Sequence, residues 1–352
     1  MYNMDNELNT FYNDHVRLSK EDIKDLADYR DTNIERLKSG LEELDFPNSF
    51  ESKDQGSYAM DTINQHPEKK YDIDEAVIFK KDDLPSDPAD ARKQIEEAMR
   101  EAGGNFLTPP KAKTNAVRIT YVEGYHVDFA IYRKSTDIFG NTIIEHAGPE
   151  WTIRDPMEIN NWFTDLVKRK SPSKEYGAKV DDGQVRRVVR WLKIFAKSRS
   201  SWNMPGGLIL SALVGECYVS DRNRDDISLY ETMLSIRNRL RFDENVNNPA
   251  NPSLSLTTRE KDKARMDNLE DNLSTALEKL DELFKPDCER LGALQAWEWV
   301  FNKHEYWEGE IGKCLQESME ANSLATNKTG SLMVNRNSKD SIPVPNTRFF
   351  GK

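Results

Sequence analysis

Asp72-Ile73-Asp74 opens an apolar run, Ala76 to Phe79, that reads as a buried strand. Side chains alternate along a strand, so Asp72 and Asp74 share one face and Ile73 takes the other. Two carboxylates about 7 Å apart on a strand repel each other. A divalent cation between them removes that penalty, and hard carboxylate oxygens suit Mg²⁺ or Mn²⁺. Taken alone, the same pair also describes a strand end that faces water.

Two further features change the weight of that pair. Downstream, Tyr125 to Tyr132 is a second strand pattern, with Asp128 set among Val127, Phe129, Ala130 and Ile131. A carboxylate in such a run needs a partner, because burying a bare charge is very costly. If the two strands are neighbours, Asp72, Asp74 and Asp128 form one three-carboxylate site. Upstream, Gln55-Gly56-Ser57 contains a small turn whose backbone N–H groups can point outward.

Gly56-Ser57, Asp72-x-Asp74 and Asp128 on a later strand resemble the polymerase-β-type nucleotidyltransferase superfamily. The longer wording, Gln55 to Met60 with Tyr71-Asp72-Ile73-Asp74, is similar to the bacterial cGAS/DncV-like nucleotidyltransferases (CD-NTases). The resemblance covers roughly residues 1–320 in layout and is specific in three short motifs and one later helix. It implies an α+β architecture: a polymerase-β-like core with a small mixed sheet, plus a C-terminal helical bundle, two lobes around a cleft. It also implies synthesis of a cyclic di- or trinucleotide from nucleoside triphosphates in anti-phage defence.

The rest of the chain fits two lobes. Its 352 residues, 37% of them apolar, can bury a sizeable core in one or two domains. The net charge of −11 argues against an extended nucleic-acid surface, which needs a basic field. Three distant cysteines suggest neither a disulfide framework nor a zinc site. No leader pattern or membrane-length apolar run is read, so a soluble cytoplasmic protein is expected. The first lobe, 1–180, is expected to begin with a short helix and a long one capped near Ser19. Pro88 to about Gly103 reads as a further helix, and Thr142 to Glu145 as a further strand. The helical lobe is expected over 181–322. Residues 323–352, rich in Asn, Ser, Gly and Pro, are expected to form a flexible tail.

One helix of the second lobe, Asp182 to Lys197, carries an apolar stripe and a basic one, Arg186, Arg190, Lys193 and Lys197. A solvated face is the usual explanation of such a stripe. The resemblance implies instead that Lys193 contacts the triphosphate. Relatives have a serine near the start of the next helix; here Gly206 or Gly207 stands there, and backbone N–H groups at Gly207 could serve an anion. Ser211, one turn in, is a weaker candidate. The site expected is therefore Asp72, Asp74 and Asp128 as catalytic residues and ligands of two Mg²⁺ or Mn²⁺ ions, with Gln55, Gly56, Ser57, Lys193 and Gly207 at the nucleotide. ATP and GTP are the substrates the resemblance favours. A nucleotidyltransferase acting on RNA or protein, and a non-catalytic nucleotide-binding relict, remain alternatives. Phe349-Phe350 at the terminus suits a partner's pocket. In the resembled family an operon partner conjugates some enzymes through the C-terminus. Gly351 suits that chemistry, whereas Lys352 departs from it.

Overall fold

The computed structural model describes residues 1–172 apart from 67 and 69, then 183–302 and 304–336, with side chains up to 323. The boundary expected near residue 180 and the aromatic pair Phe349-Phe350 lie outside the described residues, as do Gly351 and Lys352. The fold is mixed α+β, as expected.

The chain starts with α1 (Asp5–Phe11), which passes through a π-helical turn (Tyr12–Val16) before α2 (Lys20–Glu43). Ser19 caps α2 by accepting the Asp22 N–H at 3.0 Å. The site segment follows as β1 (Glu51–Gln55), a four-residue helix α3 (Gly56–Ala59) and β2 (Asp72–Lys80). Next comes α4 (Pro88–Ala102), where Asp87 accepts the N–H groups of Ala89 and Asp90 and Gly103 ends the helix at φ +69°. Five strands then run as β3 (Phe106–Ala112), β4 (Val117–Tyr121), β5 (His126–Thr136), β6 (Thr142–Ala147) and β7 (Trp151–Ile153). The remainder is helical: α5 (Glu158–Lys170), α6 (Gln184–Lys197), α7 (Gly207–Cys217), α8 (Asp225–Leu240), α9 (Glu260–Leu280), α10 (Arg290–Phe301) and α11 (Glu305–Arg336).

The strands form one mixed sheet in the order β1-β2-β5-β4-β3. Its central pair, β2 and β5, is parallel, with Asp72 opposite His126 and Asp74 opposite Asp128. Strand β5 is long enough to serve two neighbours: His126–Phe129 pairs with β4 and Tyr132–Thr136 with β6. Residues of odd number, Ile73, Val77, Phe79, Val127, Phe129 and Ile131, pack against α2 and α4. The even-numbered set, Asp72, Asp74, Asp128, Ala130 and Tyr132, faces the helical lobe across a cavity.

Strands β1, β3 and β7 do not show in the sequence pattern. In β1 the run Glu-Ser-Lys-Asp-Gln has no apolar residue, and β3 carries Pro109-Pro110 and register shifts at the sheet edge. Phe284, just beyond the long helix α9, is 46% exposed: the α-helix ends at Leu280 and a 3₁₀ turn changes the phase. The helical backbone continues past Ser323 to Arg336, where a flexible tail was expected to begin. No proline lies between Glu305 and Pro343 to stop it.

Residues 1–16, expected with the first lobe, are buried elsewhere. Met4, Leu8, Phe11, Tyr12 and Val16 join the core of the helical lobe, together with Phe163 and Leu166 of α5. The N-terminus thus straps the two lobes, while α2 stays with the sheet.

The lobes also meet at one joint. Residues 60–64 follow α3 and lie along α6. Arg186 donates to the Met60 carbonyl at 3.0 Å, and Lys193 donates to the Thr62 carbonyl at 2.5 Å. Arg190, wholly buried, bonds the Asp61 carboxylate at 2.6 Å and the Tyr12 hydroxyl. Asn64 returns a bond to the Arg190 carbonyl at 3.0 Å. The basic stripe of α6 is therefore an interlobe contact over most of its length rather than a solvated face.

Behind the site, Glu75 is buried on β2, directly across from Asp54 of β1. Burial first, then the Asp54 charge, pushes its carboxyl up to about 8. A folded-state value above the unfolded one means the native chain holds the extra proton. Stability contributed by Glu75 is full at low pH and falls as pH rises from about 5 to 8. Glu75→Gln should flatten the fall in melting temperature over that range and melt above the wild type at pH 8; an unchanged pH profile would contradict this account.

Candidate active site

The site residues expected from the sequence, Gln55, Gly56, Ser57, Asp72, Asp74, Asp128, Lys193 and Gly207, line one cavity of about 890 Å³. Ser211 does not line it; its hydroxyl is turned back to the Gly207 carbonyl at 2.9 Å.

The acidic side is built by sheet register. Asp74 and Asp128 are nearest neighbours across the parallel pair, and Asp72 shares their face two residues along β2. Burial first, then the charges of Asp128 and Asp72, pushes the Asp74 carboxyl up to about 6. Gly56 makes room for it. The backbone there is left-handed, at φ +61°, and a Cβ would stand 2.0 Å from Asp74 Oδ2. Glycine is required twice over, once by the dihedral and once by the contact. Gln55 sits opposite Asp74 on β1 and donates to the Pro156 carbonyl at 2.7 Å. Ser57 opens α3 at the cavity wall.

The basic side is α6 and the start of α7. Lys193 points into the cavity while held by the Thr62 carbonyl. Burial, then Lys197 and Arg190, pulls its ammonium down to about 7, against the pull of Asp74 and Asp72. Gly207 stands against the Lys193 stem, where a Cβ would lie only 3.3 Å from Lys193 Cε. A residue larger than glycine would press on the lysine. Lys197 is exposed at the same rim.

Arg118 was missed in the sequence. It lies on β4 directly opposite Asp128, and its guanidinium grips both carboxylate oxygens, at 2.9 and 2.6 Å. It also reaches within 3.9 Å of Asp72. The signal was present: the tight turn at Glu123-Gly124 sets Arg118 across from Asp128, and the alternation of Val117, Ile119 and Tyr121 puts Arg118 on the face of the carboxylates. Asn115, Tyr132, Arg154 and Trp202 also line the cavity without having been singled out.

The donor set suits a hard divalent cation: three carboxylates on one sheet face, one of them disfavoured as an anion by the other two. The guanidinium already drawn into the cluster shows that the site attracts positive charge. In this arrangement no three acidic, histidine or cysteine side chains among the described residues converge as a metal site. Both oxygens of Asp128 are engaged by Arg118.

Residues 51–132, which span β1 through the first half of β5, match the family model of the cyclic GMP-AMP synthase DncV-like nucleotidyltransferase domain. Over that stretch the chain is similar to the nucleotidyltransferase domain of the DncV-like family. Among similar proteins, a cyclic GMP-AMP synthase of Escherichia albertii is 27% identical over 211 residues. That stretch is 56% of this chain and 44% of the relative, so the match spans less than half of the curated protein's length. Two solved structures share the fold. CdnC of E. coli MS115-1 with ATP superposes at a TM-score of 0.62 with 18% identity, covering 86% of this chain and 98% of that one. Vibrio cholerae DncV cyclic AMP-GMP synthase, bound to the linear intermediate 5′ pppA(3′,5′)pG, gives 0.62 with 15% identity, covering 86% and 97%. No helix among the described residues is long and apolar enough to cross a membrane.

Gly56→Ala tests the packing that positions Asp74. A methyl group at a left-handed residue, driven into a carboxylate, should cost on the order of 1–3 kcal/mol. Denaturant unfolding measures it, and a loss below about 0.5 kcal/mol would show that the Asp74 contact is not tight.

Proposed function

We propose that this chain joins nucleoside triphosphates, ATP and GTP foremost, into a cyclic di- or trinucleotide with release of pyrophosphate, as a signal in anti-phage defence. The observation that carries the reading is the register of β2 against β5, which gathers Asp72, Asp74 and Asp128 at one wall of a cavity. Its volume is at the upper end of the range for ligand pockets. Lys193 and the Gly206-Gly207 turn face that wall. The family match and the nucleotides named with the two structures of like fold support the same reading.

The roles follow from chemistry. Asp72 and Asp74 would hold two Mg²⁺ or Mn²⁺ ions, with Asp128 completing the ligand set. When bound, the ions supply charge neutralisation on the triphosphate and acidify the attacking ribose hydroxyl. Asp128, once released by Arg118, would receive that hydroxyl's proton. Lys193, near neutrality in its depressed state, regains full charge beside a triphosphate and opposes the charge that develops on the leaving pyrophosphate. Backbone N–H groups at Gly56 and Ser57 and at Gly207 would donate to phosphate oxygens from opposite sides, with Gln55 bracing the first turn.

The test is incubation of the purified chain with labelled ATP, GTP, CTP and UTP and Mg²⁺, resolving products by mass spectrometry. A cyclic product is expected, lost by more than a hundredfold in Asp72→Asn and Asp74→Asn, as expected when metal ligands are removed. Label found only on RNA or protein, or full synthesis by those variants, would overturn the proposal.

A charge-assisted phosphate contact is worth roughly ten- to hundredfold. Lys193→Ala should weaken nucleotide binding by that factor, whereas Lys197→Ala at the exposed rim should change it less than about threefold. Isothermal titration with a non-hydrolysable ATP analogue separates the two; equal losses would leave only a general basic field.

A further inference from the structure

We propose that Arg118 is a tethered counter-ion that holds Asp128 in the metal-free enzyme, and that a cation reaches Asp128 only by displacing it. The inference rests on the metal-dependent reading above and adds a residue to it.

Asp128 and Asp72 differ in how open they are. The Asp72 side chain is 58% exposed, and its nearest guanidinium nitrogen is 3.9 Å away. The Asp128 side chain is 17% exposed, and Nε and Nη2 of Arg118 engage both of its oxygens as a fork. A cation can therefore reach the Asp72 side of the cluster directly, but it must take Asp128 from an existing partner. The fork is set by backbone register, since the two residues are nearest neighbours across β4 and β5. It is also reversible. The Arg118 side chain is 41% exposed and lines the cavity, so it can swing from Asp128 into solvent or onto a phosphate.

The arrangement has a physical reason. Three carboxylates crowded on a partly buried sheet face repel one another, and a bare buried charge is costly. An arginine opposite Asp128, more enclosed than Asp72, keeps the metal-free site folded. The same arginine makes cation binding at Asp128 a competition, which tips when a triphosphate arrives with its own oxygens and a new anion for the guanidinium. The two cation positions should accordingly differ. The one at Asp72 and Asp74 feels Arg118 only as a nearby charge, and the one that needs Asp128 competes with it directly.

The experiment counts Mn²⁺ bound to the nucleotide-free full chain, using the electron paramagnetic resonance signal of free Mn²⁺. In Arg118→Gln one class of sites should bind about ten- to hundredfold more tightly than in the wild type, the factor set by loss of a charge-assisted pair. Arg118→Lys keeps the charge but not the fork, so it should tighten binding by only a few-fold. Adding Asp128→Asn to Arg118→Gln should remove the gain. Circular dichroism and melting curves establish that each variant is folded; should Arg118→Gln fail to fold, Arg118→Lys carries the test. Binding equal to or weaker than wild type in a folded variant overturns the role of Arg118 while leaving the metal site intact. Absence of Mn²⁺ binding in every form, with and without ATP, overturns both this inference and the functional reading on which it rests.

Discussion

Parallel pairing of β2 with β5 puts Asp74 beside Asp128, and the rest of the site answers the repulsion that follows. Like charges this close in a partly dry setting are not stable by themselves. Gly56 lets the protein backbone approach the Asp74 carboxylate, Arg118 neutralises Asp128, and Lys193 faces the cluster across the cavity. Lys193 is itself pulled down to about 7 by burial and two cationic neighbours, while burial and two carboxylates push Asp74 up to about 6, so each wall holds its charge less readily than it would in water. The two walls thus carry opposite charge: carboxylates on the sheet side, amines on the helix side.

Much of this was legible in the sequence because strand chemistry is periodic. Alternation along Asp72-Ile73-Asp74 and along Val127-Asp128-Phe129 assigns the three carboxylates to one face before any coordinates are known. Glycine before serine, and glycines before an apolar helix, mark turns by the same kind of local rule. What stayed hidden depends on pairing between distant segments. Edge strand β1 has no apolar residue, and β3 is interrupted by prolines, so neither announces itself; both are strands because β2 and β4 offer them hydrogen-bonding partners. Arg118 looked like one more surface cation in a chain rich in charge. Its partner becomes visible only when the hairpin register is drawn. The stripe on α6 misled in the opposite way: a basic row at helical spacing usually faces water, yet Arg190 is wholly buried. Residues 1–16 read as part of the first lobe because they precede it, but their apolar side chains fill the helical core. Sequence order is a poor guide to which core a terminal segment joins.

The joint between the lobes uses main-chain acceptors for two of its cationic contacts. Arg186 and Lys193 bond the carbonyls of Met60 and Thr62, not their side chains. A carbonyl is present whatever residue occupies the position. The sequence of this linker can therefore drift at those two places without loosening the hinge, provided the backbone keeps its path, while the helix that reads it cannot drift to the same extent. Divergence among chains built on this plan should collect on the 60–64 linker and be scarce on the helix, so variability and mechanical importance would run in opposite directions across a single contact.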